Sequence, residues 1–181
     1  MEPEKIEHTE ITAGLFHLRP PRLTEAEDLL ELASDRDVTV FTPRLKTVTD
    51  LESARAMCEK FADWTGRATF SILDAPTERY MGHIMIFGID REDSVAEVGY
   101  RIAPWARGRG VASTCLRAIT GWSFATLDLH RIHLLHALDN PASCRVALKN
   151  GYLHEGTLRS AFVAGDGLRR DEHLHARLIT D

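Results

Sequence analysis

Two glycines alternate with arginines in Arg107-Gly108-Arg109-Gly110-Val111-Ala112, and a helical pattern starts directly after them. The first turn of a helix carries unpaired backbone N–H groups and a partial positive charge. Glycine and alanine let an anion approach those amides closely, and arginine adds charge-assisted donors. These residues suggest retention of a phosphate or pyrophosphate; the alternative is a plain glycine turn with solvated arginines. A triphosphate-binding loop would need Gly-Lys-Ser/Thr, which the chain lacks. A dinucleotide fingerprint would put Gly or Ala where Ser113 stands, although Asp128 lies at the distance expected of a ribose acid.

The histidines raise a second possibility. His130, His133 and His136 recur at every third position, and His173 and His175 alternate. In a strand, His130 and His136 would share one face and His133 the other, so one strand cannot present all three to one ion. The usual H-E-x-x-H and Cys/His spacings are absent, and the expectation is no metal. Cys58, Cys115 and Cys144 are far apart and odd in number, which fits reduced thiols.

The 181 residues suit one domain, 1–181, with residues 1–12 as a polar N-terminal arm. A net charge of −5 argues against nucleic acid or an anionic membrane as the main partner. No apolar run approaches the roughly 18 residues of a membrane span. The first ten residues match neither a secretory signal nor a transit peptide, so a cytoplasmic location is expected.

Several elements must position the glycine loop. A strand is expected over 14–19, stopped by Pro20-Pro21, then a helix opened by a Thr24…Glu27 capping box and running to about Leu32. The same signal at Thr49 and Glu52 opens a second helix to about Trp64, and 34–47 between them reads as a loop with at most a short helical turn. Strands at 68–73, 80–89 and 95–102, joined by short polar turns, imply an antiparallel meander. From Gly110 the period becomes helical to about Thr126, with Val111, Cys115, Ala118 or Ile119, and Trp122 on one face. A strand at 131–138, a short helix at 141–150 ended by Gly151, and a hairpin of 152–163 with 168–179 complete the order. This is an α/β chain of the α+β type, with a mixed sheet.

The motif R-x-x-G-x-A at Arg107, Gly110 and Ala112 resembles the acyl-CoA pyrophosphate loop of the GNAT N-acetyltransferases. The stretch from Asp139 to Tyr152, D-N-P-A-S-C-R-V-A-L-K-N-G-Y, resembles the family's second block, with Asn140, Ser143 and Gly151-Tyr152 at its marked positions. Residues 96–102 resemble the strand before the loop, and Glu155–Arg159 with Arg170-Asp171-Glu172 resemble the closing hairpin of the RimJ/RimL branch. The resemblance implies a GNAT fold: a mostly antiparallel central sheet, splayed at one parallel strand pair (95–102 and 131–138) and flanked by helices. It implies acetyl-CoA as cosubstrate, held by Ile102, Arg107, Gly108, Arg109, Gly110, Val111, Ala112, Asn140 and Ser143. A backbone N–H near Val98 would polarise the thioester carbonyl.

The resemblance makes Glu97 the general base and Ser143 the hydroxyl that meets the departing sulfur. Their plain alternatives are a solvent-facing strand acid and a helix cap. Many relatives carry a Tyr where Ala147 stands, so solvent is another source of that proton. Phe41, Arg44, Glu97 and Arg159 are the acceptor-side candidates; Trp64 and Trp105 line the pocket or pack in the core. An α-amine, with a pKa near 7.7–8.0, suits one moderate base better than a lysine near 10.4. The implied acceptor is therefore a peptide or protein N-terminus. A small-molecule amine, as in antibiotic detoxification or biosynthesis, and a non-catalytic acyl-CoA-binding module stay open. The family also leaves room for a homodimer.

Overall fold

The computed structural model describes residues 4–181. Eight strands form one sheet in the order β1-β2-β3-β4-β5-β6-β8-β7. They are β1 (Ile11–Ala13), β2 (Phe16–Arg19), β3 (Ala68–Asp74), β4 (Tyr80–Asp90), β5 (Val95–Ile102), β6 (Arg131–Ala137), β7 (Leu153–Val163) and β8 (Arg169–Leu178). Five helices flank it: α1 (Ala26–Ser34), α2 (Arg36–Phe41), α3 (Leu51–Ala62), α4 (Val111–Thr126) and α5 (Pro141–Lys149).

Every strand pairing is antiparallel except β5 with β6. That parallel pair holds register only from Val95↔Arg131 to Glu97↔His133. Beyond it, β5 continues beside β4 to Ile102, and β6 continues beside β8 to Ala137. The strands therefore part, as the family resemblance implied, and the gap opens toward the starts of α4 and α5.

Alternation sorts the side chains onto two faces. On one face Phe70, Ile72, Ile84, Ile86, Ala96 and Val98 pack beneath the buried stripe Val111, Cys115, Leu116 and Ile119 of α4. Trp122 joins them, edge-on to Phe70 with ring centroids 5.2 Å apart. Each fully buried aliphatic side chain contributes about 2 kcal/mol. The other face carries α1 and α3; Phe61 of α3 lies 4.9 Å from the His83 ring.

Local signals were misplaced by a residue or two. The N-cap of α3 is Asp50, which accepts from the Ser53 N–H at 2.8 Å, not Thr49. A 3₁₀ turn, Leu23–Glu25, precedes α1, and Glu25 accepts from the Arg22 N–H; Thr24 caps nothing. Glu25 is instead drawn inward by Arg19 at 2.6 Å and by the Ser71 hydroxyl. The segment read as a loop contains α2 and a 3₁₀ turn, Pro43–Thr47. The expected polar arm is docked from residue 4 onward. Ile6 is buried and bonds the Trp64 carbonyl, and Ile11 begins an edge strand. Its residues 1–3 lie outside the described residues.

Gly82 occupies φ +130°, and a Cβ there would overlap the Arg101 carbonyl of the neighbouring strand. Gly108 also has positive φ but open space around its Cβ position. Gly82→Ala is expected to cost about 3 kcal/mol or more from backbone strain and overpacking, against about 1 kcal/mol for Gly108→Ala. Urea unfolding of the two variants measures the contrast.

Candidate functional site

A cavity of about 500 Å³ lies at the end of β5, past its pairing with β6, within the range of small-molecule sites. Its walls are the end of β5 (Tyr100, Arg101, Ile102), the glycine loop and start of α4, the start of α5, and α2. Of the residues expected from the sequence, Phe41, Ile102, Arg107, Gly108, Gly110, Val111, Ala112, Asn140 and Ser143 line it. Arg109, Glu97, Arg44 and Arg159 are not on its wall.

The glycine loop is built for close approach. Gly108 and Gly110 each adopt φ +75°, with no atom within 4 Å of the Cβ a larger residue would add. Gly110 caps α4, and the first helical bond runs from the Thr114 N–H to its carbonyl. The N–H groups of Val111, Ala112 and Ser113 therefore have no partner within the helix. A sixteen-residue helix stands behind them and adds its dipole. The arginines differ from expectation. Arg107 is held by Asp35 at 2.9 Å and Asp37 at 3.5 Å, and Arg109 turns away to Asp74 at 2.7 Å. Acids from α2 and β3, distant in sequence, already neutralise both guanidiniums.

The start of α5 supplies the hydroxyl. Asn140 is its N-cap and accepts from the Ser143 N–H at 3.2 Å, so Ser143 is not the cap. The Ser143 Oγ meets the Tyr100 hydroxyl at 2.8 Å. Burial pushes the Tyr100 pKa up to about 12, partly opposed by the Ser143 bond. Tyr100 was not singled out from the sequence. Alternation along 95–102 puts it on the face of Ile102, which was the available signal. Ala147 is fully buried and carries no hydroxyl.

Glu97 lies on the opposite face of β5 together with Gly99 and Arg101. Arg101 donates to the Thr42 hydroxyl at 2.8 Å, tying this face to the segment after α2. Burial pushes the Glu97 pKa up to about 7; the charge of Glu172 on β8 adds to the rise, and Arg101 and Arg44 oppose it. Burial also raises Glu172. The closeness of these two acids, far apart in sequence, was not legible before the sheet order was known. Arg159 is exposed on β7, next to Leu158, which is in register with Glu172. Glu155 pairs with Arg131, at 2.9 Å on one fork of the guanidinium. Trp64 is fully buried and donates to the Thr69 carbonyl, and Trp105 donates to that of Tyr80; neither lines the cavity.

The expectation of no metal rested on spacing within one strand and on the absence of the usual H-E-x-x-H and Cys/His spacings. His133 does face away from His136, but β8 and α5 bring His173, His175 and Cys144 to His136. Strand spacing does not limit ligands drawn from three elements.

Residues 16–153 match the family described as Acetyltransferase (GNAT) domain. The chain is 30% identical to the uncharacterized N-acetyltransferase p20 of Bacillus licheniformis, over 78% of this chain and 81% of the relative. It is 32% identical to the ribosomal-protein-serine acetyltransferase of Escherichia coli (strain K12), over 56% of each chain. Among solved structures, a GNAT-family acetyltransferase from Bacillus anthracis superposes with a TM-score of 0.83 at 25% identity, covering 96% of this chain and all of that one. Among the described residues, no helix is long and apolar enough to cross a membrane.

A carboxyl whose pKa rises from 4.5 to about 7 on folding keeps its proton longer in the native state. Its stabilising share is whole below about pH 4.5 and is lost as pH rises through about 7. The loss is on the order of 2 kcal/mol after screening of the partly accessible group. Glu97→Gln is expected to flatten this fall, read from urea unfolding between pH 5 and 8.

Proposed function

This chain belongs to the GNAT acetyltransferase family and is an acetyl-CoA-dependent N-acetyltransferase; we propose that its acceptor is the α-amine of a peptide or protein N-terminus. The observation that carries this reading is the desolvated Glu97 carboxyl, held against Glu172 on the face toward Arg44 and Thr42. Taking a proton from an α-ammonium, with a pKa near 8, onto a carboxylate near 7 is uphill by about 1.4 kcal/mol. From a lysine near 10.4 the cost is about 4.6 kcal/mol. The similarity to a ribosomal-protein-serine acetyltransferase supports the same direction. We read residues 1–181 as one such domain.

The cavity fits acetyl-CoA on grounds present in this chain. Two glycines leave space at unpaired helix-start amides, and the β6-facing edge of β5 has no strand partner beyond Glu97. In this reading the amides of Val111, Ala112 and Ser113 take the pyrophosphate, and Gly108 and Gly110 give it room. Arg107 serves by closing the loop onto Asp35 and Asp37 rather than by direct phosphate contact. The free β5 edge through Ile102 hydrogen-bonds the pantetheine arm, and Asn140 holds the start of α5 at the opposite wall. Acetyl-CoA supplies the acetyl group as a thioester.

The chain's own residues then handle the protons. Glu97 takes the ammonium proton so that the amine carries a lone pair. Ser143 directs its hydroxyl to the sulfur as negative charge develops there, and Tyr100 holds that hydroxyl. Tyr100 thus stands in for the tyrosine missing at Ala147, reached through the sheet rather than along the helix. Phe41 and Arg44 border the acceptor side, and Arg159 is the exposed candidate on β7, next to Leu158, which is in register with Glu172.

Acetyl-CoA-dependent thiol release is expected with free N-terminal peptides and not with N-blocked ones, polyamines or amine antibiotics. Release only with the small amines would overturn the acceptor assignment. Silence across the panel, with acetyl-CoA still bound, would point to the non-catalytic module. Glu97→Gln is expected to lower kcat by about 10² and to remove a rising pH limb near 7, with acetyl-CoA affinity nearly intact. Gly110→Leu is expected to raise the acetyl-CoA Kd by more than about tenfold, measured by calorimetry.

A further inference from the structure

Four metal-ligating side chains meet at a place the proposed reaction does not use. On β8, His173 is in register with His136 of β6, and His175 with Leu134. His136, His173 and His175 therefore share the sheet face covered by α5, and Cys144 projects toward them from that helix. One ligand atom from each of the four lies within 4.8 Å of every other. His136 Nε2 and His175 Nε2 are 3.2 Å apart, and Cys144 Sγ is 3.9 Å from His175 Nε2. Nitrogen and sulfur ligands around a tetrahedral zinc are spaced roughly 3.3–3.6 Å apart. The observed separations bracket that spacing.

Hydrogen bonding around the cluster points to an ion. His136 Nδ1 lies 2.8 Å from the Ala137 carbonyl, and His175 Nδ1 lies 3.1 Å from that of Tyr152. A carbonyl only accepts, so each Nδ1 carries the hydrogen and each neutral ring leaves Nε2 bare. Two lone pairs then face one another at 3.2 Å in a buried site, which calls for an electrophile bridging them. An Nδ1–H bond to a backbone carbonyl is also the outer-shell contact that orients ligating histidines. His173 adds an orphan: its Nδ1 is buried with no hydrogen-bond partner among the described residues, where buried polar atoms are normally satisfied.

We propose that His136, Cys144, His173 and His175 form a closed tetrahedral site for a borderline transition-metal ion, Zn(II) first among them. Three imidazoles and one thiolate select zinc-type ions over calcium or magnesium, which prefer oxygen. Binding releases the Cys144 thiol proton to solvent, and the thiolate gives its electron pair to the ion. The ion clamps α5 to β6 and β8. Because Ser143 precedes Cys144, the clamp also fixes the pose of the hydroxyl in the cavity. The site depends on no part of the acetyl-transfer reading.

The test uses the full chain without an affinity tag, stripped with a chelator and titrated with Co(II) and Zn(II). Stoichiometric binding is expected, with a thiolate-to-cobalt charge-transfer band. Cys144→Ser should abolish that band and weaken binding by at least about tenfold. His175 is fully buried, so His175→Ala risks misfolding. Cys144→Ser and His173→Asn, at half-buried positions, keep the test decisive, with circular dichroism as the fold control. Absence of stoichiometric binding, a band that survives Cys144→Ser, or an affinity unmoved by His173→Asn would overturn the site.

Discussion

The molecule depends on a parallel pairing that stops early. β5 and β6 are in register for three residues and then part, each kept straight by an antiparallel neighbour on its outer side. A closed sheet would have satisfied those backbone edges internally and left no cavity. Instead the β6-facing edge of β5 has no strand partner beyond Glu97, and the starts of α4 and α5 both face the cavity. Glycine at position 82 lets β4 follow β5 closely at this point, because any Cβ there would meet the Arg101 carbonyl.

The gap also divides the chemistry between two sheet faces. Tyr100 and Ser143 meet on the α5 side, hydroxyl to hydroxyl at 2.8 Å. Glu97, Glu172 and Arg101 gather on the other side, where burial and a like charge push the Glu97 pKa up to about 7. Tyr100 and Glu97 thus lie on opposite faces of β5. The histidine cluster shares the α5 face and lies one residue along the helix from Ser143.

Charge neutralisation sets the surroundings of the glycine loop. Two arginines in six residues suggest direct phosphate contacts, but Asp35, Asp37 and Asp74 engage both side chains. These pairs anchor the loop to α2 and β3. The same segment is fastened from the other side, where the Gly165 N–H donates to the Val40 carbonyl and Lys46 reaches the Gly165 carbonyl. The wall carrying Phe41 is therefore tied to the glycine loop and to the β7–β8 hairpin together.

Sequence alone determined whatever depends on neighbours along the chain. The glycine loop opening α4, Pro141 and Gly151 bounding α5, the run of strands from 68 to 102 and the hairpin at 164–167 all follow from local backbone preferences and side-chain period, and the motif blocks carried the family. The helix caps at Glu25 and Asp50 were misplaced because several adjacent polar residues can cap equally well, and only packing chooses between them. Tertiary structure alone decided which charges meet. Glu97 with Glu172, Arg107 with Asp35, Tyr100 with Ser143, and His136 with His173, His175 and Cys144 are all contacts between distant segments. Their energies depend on separation in space and on burial, and neither quantity exists until the sheet order and register are set.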